Sequence, residues 1–248
     1  VMMNLQQATQ TLREKGVVVF PGLYADRSMA LAEEHHRCFS ESLAGLKLAP
    51  PMDGEKILPA RAIDLLNHQL TTLHQCLFPD WFRQLGELYF QCRDSRNDFA
   101  SICEDTYKHD RRGAGNHHPH WDPTLSLRLM IYVSDVTTNN GAIQVKSGTH
   151  YRNHRTRLEQ WKNQVSYQDP CLCSGANLPY ENIEGCAGTA IVFDVSVTHR
   201  KGIVGREAQR SVAFSHIHSP LAQLQLAGTP FGSIPQSLLW PHGKPDDQ

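Results

Sequence analysis

The 248-residue chain carries 14 histidines, and six of them fall between His109 and His154. Within that stretch, Asn116-His117-His118-Pro119-His120-Trp121-Asp122-Pro123 concentrates side chains able to hold a metal ion. In extended backbone, residues two apart point to the same side, about 6.5 Å apart. His120 and Asp122 can therefore offer an imidazole and a carboxylate to one ion, while Trp121 faces away. A lone His-x-Asp is weak evidence, because chance alone supplies about one such pair in a chain of this composition. His199 strengthens the case. It follows the apolar run Ile191-Val192-Phe193-Asp194-Val195, where a strand mouth presents a side chain to a cavity. Two histidines and one carboxylate on one face of an ion leave adjacent positions open. That arrangement suits Fe(II) when a co-substrate and dioxygen must both bind. Arg210, eleven residues beyond His199, offers a guanidinium fork to a carboxylate reaching away from the metal. The blander reading makes His199 a capping or core residue and Arg210 a surface ion pair.

The elements that must position these residues change character near residue 99. Before it the pattern is mainly helical. Leu5, Ala8 and Leu12 keep helical spacing up to Gly16, and Val17 to Phe20 make a short buried strand stopped by Pro21-Gly22. Asp26 reads as the cap of a helix with the stripe Met29, Ala32, His36, Phe39 and Leu43, which makes His36 a packed histidine. Leu48 to Ile57, with Pro50-Pro51, reads as a loop. Two further stripes follow, Leu66-Leu70-Leu73-Leu77 and Trp81-Leu85-Leu88-Cys92. After residue 99 the signals are strands. Leu125 to Val133 alternates as a half-buried strand, Asn139-Asn140-Gly141 marks a turn, and strands are expected at 142–145, 189–195 and 211–217. Helices first and strands later, without alternation, argue for an α+β fold.

Other clusters have competing readings. Cys171-Leu172-Cys173 has the residue types for zinc but lacks a second pair, so loop thiols are the better reading. His216-Ile217-His218 has same-face spacing without an acidic companion and reads as a strand end near the site mouth. His150 is expected to fix its turn by hydrogen bonding, and His117 and His118 either line the pocket or are solvated. The basic stretch Arg152, His154, Arg155, Arg157 and Lys162 is either a solvated face or part of a lid over 151–186, which shows little regular pattern. Formal charge is -1, which gives no field favouring nucleic acid or membrane. No apolar run reaches membrane-span length, and the seven cysteines show no framework spacing, so a reducing, cytoplasmic setting is expected.

In order and spacing, the chain resembles the phytanoyl-CoA dioxygenase family of Fe(II)- and 2-oxoglutarate-dependent oxygenases. The resemblance runs from Leu12-Arg13-Glu14-Lys15-Gly16-Val17-Val18-Val19-Phe20-Pro21-Gly22 through His120-Trp121-Asp122 and Tyr132-Val133-Ser134-Asp135-Val136. It continues over Asn140-Gly141-Ala142-Ile143-Gln144-Val145 and Ser147-Gly148-Thr149-His150 to Gly188-Thr189-Ala190-Ile191-Val192-Phe193-Asp194, then His199 and Arg210. Pro119 before the first histidine, Trp121 between His and Asp, and Val212 two residues after Arg210 depart from the family's usual pattern. The last departure makes Arg206 a reserve for the carboxylate clamp.

The resemblance implies a distorted double-stranded β-helix (a jelly-roll, cupin-like barrel) packed against N-terminal helices. One oxygenase domain would span 1–248, with a mainly helical part over 1–98, a barrel over 99–220 carrying the 151–186 insertion, and a C-terminal segment over 221–248. His120, Asp122 and His199 would hold Fe(II), and Arg210 would bind the distal carboxylate of 2-oxoglutarate. Tyr107, Lys108 or Asn116 could hold the metal-side carboxylate. Dioxygen would be the second co-substrate, and the expected outcome is hydroxylation of a small-molecule substrate. Halogenation is disfavoured, because halogenases of this kind replace the carboxylate with a small residue to admit chloride, and Asp122 is present. The rivals are a cupin-type isomerase or hydrolase without 2-oxoglutarate, and a non-catalytic ligand-binding barrel.

Overall fold

The computed structural model describes residues 4–50, 55–91, 97, 99–106, 118–122, 124–162, 177–205 and 208–219. Helix α1 (Leu5–Lys15) starts at Asn4, whose side-chain oxygen accepts the Gln7 amide, and buries Ala8 and Leu12 as their spacing requires. It stops at Gly16, whose φ of +76° lies in the left-handed region that favours glycine. The chain then forms β1 (Val17–Phe20), a 3-10 turn (Ala25–Arg27) and α2 (Ser28–Ser40). Strand β2 (Glu55–Arg61) precedes three short helices, α3 (Ala62–Asn67), α4 (Thr71–Leu77) and α5 (Asp80–Phe90). Then come β3 (Phe99–Thr106), β4 (Ser126–Tyr132), β5 (Ile143–Lys146), α6 (His150–Lys162), β6 (Glu181–Ile183), β7 (Ala190–Asp194), β8 (Thr198–Lys201) and β9 (Gln209–His218).

The strands pair antiparallel in a six-stranded sheet, β1-β7-β4-β9-β3-β2, and a three-stranded sheet, β6-β5-β8. This is the expected α+β architecture with a jelly-roll core. Residues of alternate parity face opposite ways. One row of the large sheet, including Leu127, Leu129, Ile131 and Val192, packs with Leu73, Leu77, Phe82 and Leu85 of the helices. The other row, including Met130, Tyr132, Phe193 and Val212, packs with Ile143 and Val145 of the small sheet. A cavity opens within this second, inner layer.

Several local expectations are corrected. Strand β4 has no wet face: Arg128, Met130 and Tyr132 turn into the barrel while Leu127, Leu129 and Ile131 meet the helices. Helix α2 buries Leu31, His35 and Cys38, whereas His36 is exposed. His35 is the packed imidazole because its Nε2 reaches the Cys103 carbonyl at 2.9 Å. Asp26 lies in the 3-10 turn instead of capping α2. The stripe from Leu66 to Leu77 breaks at Gln69, φ +56°, into α3 and α4, leaving Leu66 exposed, and Leu88 of α5 is exposed too. Residues 55–57 are strand, because pairing with β3 outweighs the proline-rich signal, and edge position lets β2 tolerate Pro59. The 151–186 stretch opens with α6 in place of irregular chain. No helix among the described residues is long and apolar enough to cross a membrane.

Candidate metal centre

Backbone pairing brings His120, Asp122 and His199 together. His120 N donates to His199 O at 3.0 Å and His199 N to His120 O at 2.8 Å, while Asp122 N donates to Val195 O at 2.8 Å. Each residue contributes one ligand atom, and the three atoms lie within 4.8 Å of one another. Trp121 between them is fully buried.

The tautomers follow from the hydrogen bonds. His120 Nδ1 meets His118 O at 2.8 Å and His199 Nδ1 meets Val197 O at 2.8 Å. A carbonyl only accepts, so both Nδ1 atoms carry a proton, which in the neutral ring places the lone pair on Nε2. His199 Nε2 is buried with no hydrogen-bond partner, an orphan that a metal ion would satisfy. Burial pushes His199 down to about 4, against the pull of Asp122, so the ring is neutral at physiological pH. Burial alone would raise the Asp122 carboxyl. The Arg128 guanidinium outweighs it, together with the flanking histidines, and Asp122 is held below the usual carboxylate range. Arg128 Nη2 donates to Asp122 Oδ2 at 2.8 Å, with its guanidinium over the Phe193 and Phe214 rings. The neutral His199 imidazole and the ionised Asp122 carboxylate are in the protonation states that ligation needs. Sequence reasoning missed Arg128. Its signal was its parity on β4, which it shares with the inner-facing Met130 and Tyr132.

These residues border a cavity of about 170 Å³, which Arg210 and Lys201 also line. Arg210 is buried, not a surface ion pair. Its Nε donates to Asp105 Oδ2 at 2.7 Å and its Nη1 to Gly141 O at 2.6 Å. Nη2 has no partner among the described residues. Burial opposes its charge, but Asp105 more than compensates and raises Arg210 above its ordinary value.

Outside the triad, His216 of β9 is half-buried and stacks on His218, with Phe214 edge-on beside it. Burial and then Arg128 hold His216 well below the usual imidazole range. His150 anchors a neighbouring element, its Nε2 donating to Arg13 O at 2.9 Å. His118 is exposed. Arg152 and Arg155 are exposed on α6, whereas His154 meets Asp194 Oδ2 at 3.0 Å. Tyr107, Lys108, Asn116, His117, Cys171, Cys173 and Arg206 lie outside the described residues, as does the segment 221–248.

The phytanoyl-CoA dioxygenase family model matches residues 12–202. The chain belongs to the phytanoyl-CoA dioxygenase family. Fe(II) and 2-oxoglutarate are the cofactor and co-substrate of that family, and the donor set described above fits the metal. No curated protein matches the chain in sequence. Similar solved structures include the non-heme alpha-ketoglutarate-dependent epimerase SnoN from nogalamycin biosynthesis, at 14% identity and a TM-score of 0.60, covering 86% of this chain and 80% of that one. HygX from Streptomyces hygroscopicus, solved with nickel and 2-oxoglutarate, matches at 13% identity and a TM-score of 0.58, covering 88% and 87%. The carbocyclase SnoK from nogalamycin biosynthesis matches at 15% identity and a TM-score of 0.57, covering 86% and 83%. At these identities the likeness is one of fold.

Proposed function

We propose that this phytanoyl-CoA dioxygenase family member is a dioxygenase that hydroxylates a small organic substrate in specialised metabolism. The observation that carries the reading is the convergence of His120, Asp122 and His199 within 4.8 Å, with both imidazoles in the ligating tautomer. In this reading the three side chains hold Fe(II). Bound iron supplies the chemistry that couples dioxygen-dependent decarboxylation of 2-oxoglutarate to oxidation of a substrate C–H. The balance is one substrate C–H, one dioxygen and one 2-oxoglutarate consumed for one C–OH, one succinate and one carbon dioxide.

The chain's own residues supply binding and orientation. Arg128 fixes the Asp122 carboxylate, and Arg210, whose Nη2 has no partner among the described residues, would bind the distal carboxylate of the co-substrate. The apolar inner layer around Met130, Ile143 and Val212 limits water near the reacting groups. The family assignment and the fold shared with SnoN, SnoK and HygX support the use of 2-oxoglutarate over cupin chemistry without it. The nogalamycin setting of SnoN and SnoK supports a specialised-metabolite substrate.

The test is a screen of small molecules with Fe(II)-loaded protein, 2-oxoglutarate and dioxygen. Succinate released in step with a product heavier by one oxygen is the expected result. Succinate coupled to a product of unchanged oxygen content would replace hydroxylation by another outcome of the same activation. Products formed without any 2-oxoglutarate consumption would overturn the assignment.

A further inference from the structure

We propose that Lys201 is a second cation of the 2-oxoglutarate distal-carboxylate subsite, acting beside Arg210, with Asp105 as the shared anchor of both and Glu55 as a counter-charge that weakens binding. The inference deepens the reading above and rests on it.

Geometry places Lys201 at the right distance from the metal ligands. His199 and Lys201 are two residues apart on β8, so they face the same side about 6.5 Å apart. Four carbon–carbon bonds separate the ends of a five-carbon diacid, a reach of about 5 Å in zigzag. A co-substrate chelated beside His199 thus ends one pleat further along the strand, where Lys201 stands. Register brings Arg210 to the same place from the other sheet. Lys201 pairs with Ile143 on β5, next to the turn whose Gly141 carbonyl takes Arg210 Nη1, and Arg210 pairs with Asp105 on β3.

Asp105, which is fully buried, joins the two cations. Its Oδ1 accepts from Lys201 Nζ at 2.8 Å and its Oδ2 from Arg210 Nε at 2.7 Å. Glu55 Oε1 lies 3.1 Å from Lys201 Nζ. All four strands that carry these groups, β2, β3, β8 and β9, meet at the cavity bordered by His120, Asp122 and His199. Among the described residues, two cations face two carboxylates, a formally neutral set. A self-contained ion cluster would pair every donor, yet Arg210 Nη2 has no partner among the described residues although its side chain is only 5% exposed. An incoming carboxylate satisfies that donor and adds one negative charge beside Arg210 and Lys201. Removing the positive charge of Lys201 must then weaken binding, and removing the negative charge of Glu55 must strengthen it.

The experiment measures the affinity of Fe(II)-loaded protein for 2-oxoglutarate and for 2-oxobutyrate, which chelates the metal but lacks the distal carboxylate. The readout is the anaerobic visible band of the chelated oxo acid, with melting temperature as a fold check. Lys201→Met is expected to weaken 2-oxoglutarate about tenfold or more while leaving 2-oxobutyrate within about twofold, and Glu55→Gln is expected to tighten 2-oxoglutarate about threefold. Should Lys201→Met fold poorly, Lys201→Met/Glu55→Gln restores formal neutrality and is expected to keep the selective loss. Equal weakening of both oxo acids, or unchanged 2-oxoglutarate affinity, would overturn the role of Lys201. Failure of the unsubstituted protein to bind either oxo acid would instead overturn the reading on which the inference rests.

Discussion

At the residue scale, the His199 proton is committed to Val197 O and its Nε2 is buried without a partner, the state that metal ligation would require. Asp122 is prepared by Arg128, which holds Oδ2 at 2.8 Å and keeps the carboxylate ionised. Groups that orient a metal ligand commonly matter 10–100-fold, so Arg128→Leu is expected to weaken Fe(II) binding about tenfold without unfolding the chain. Arg128→Lys would not restore affinity, because the guanidinium also lies over Phe193 and Phe214. Anaerobic metal titration checks this, and wild-type affinity in both variants would reduce Arg128 to a packing role. The triad itself was readable from two-residue spacing and the placement of His199. Asp105 and Lys201 were not, since a buried ion pair joining β3 to β8 has no local sequence signature.

Among the elements, α6 carries weight that its basic composition conceals. Asn153 Nδ2 donates to Ser196 O at 2.7 Å and Thr198 Oγ1 at 3.0 Å, while Thr149 Oγ1 accepts the Thr198 amide at 2.8 Å. Asp194 accepts from Tyr89 and the Ser196 amide, and His154 also meets it. The turn delivering His199 is therefore held from α5 and α6 at once. Asn153→Ala removes a side chain and leaves the Ser196 carbonyl buried without that donor. It is expected to cost about 1–3 kcal/mol of stability and to weaken metal binding as the turn loosens. Thermal melts with and without Fe(II) separate the two effects, and a metal-induced rise in melting temperature equal to wild type would show that the turn needs no such staple. Strand existence was legible wherever β-branched runs met turn residues, as at Val17 to Phe20 and Ala190 to Asp194. The outward faces were harder to read. Period-two alternation cannot say that the polar row of β4 faces a barrel interior in place of water.

On the scale of the whole molecule, two sheets and a helical layer are joined by buried polar groups that must keep their charge states. His150, on the first turn of α6, donates Nε2–H to Arg13 O in the last turn of α1, and its Nδ1 is buried with no partner. Protonation would bury an N–H without an acceptor, and burial accordingly pushes the ring down to about 4 from its ordinary 6.5. Between those values the unfolded chain binds a proton that the folded chain refuses. The stabilisation from neutral His150 is thus complete above about pH 6.5 and lost as the pH falls toward 4, on the order of 3 kcal/mol in all. Melting temperature measured across that window should fall less steeply in His150→Gln than in wild type, and parallel curves would show that His150 does not set the acid limit. The central claim is that the jelly-roll core exists here to hold His120, Asp122 and His199 around one Fe(II) open to 2-oxoglutarate. Its most direct measurement is an anaerobic titration of wild type and His199→Ala with Fe(II) in the presence of 2-oxoglutarate. One Fe(II) per chain and a weak visible charge-transfer band are expected in the wild type, with both lost in His199→Ala. A His199→Ala protein that binds iron and shows the band like the wild type would contradict the central claim.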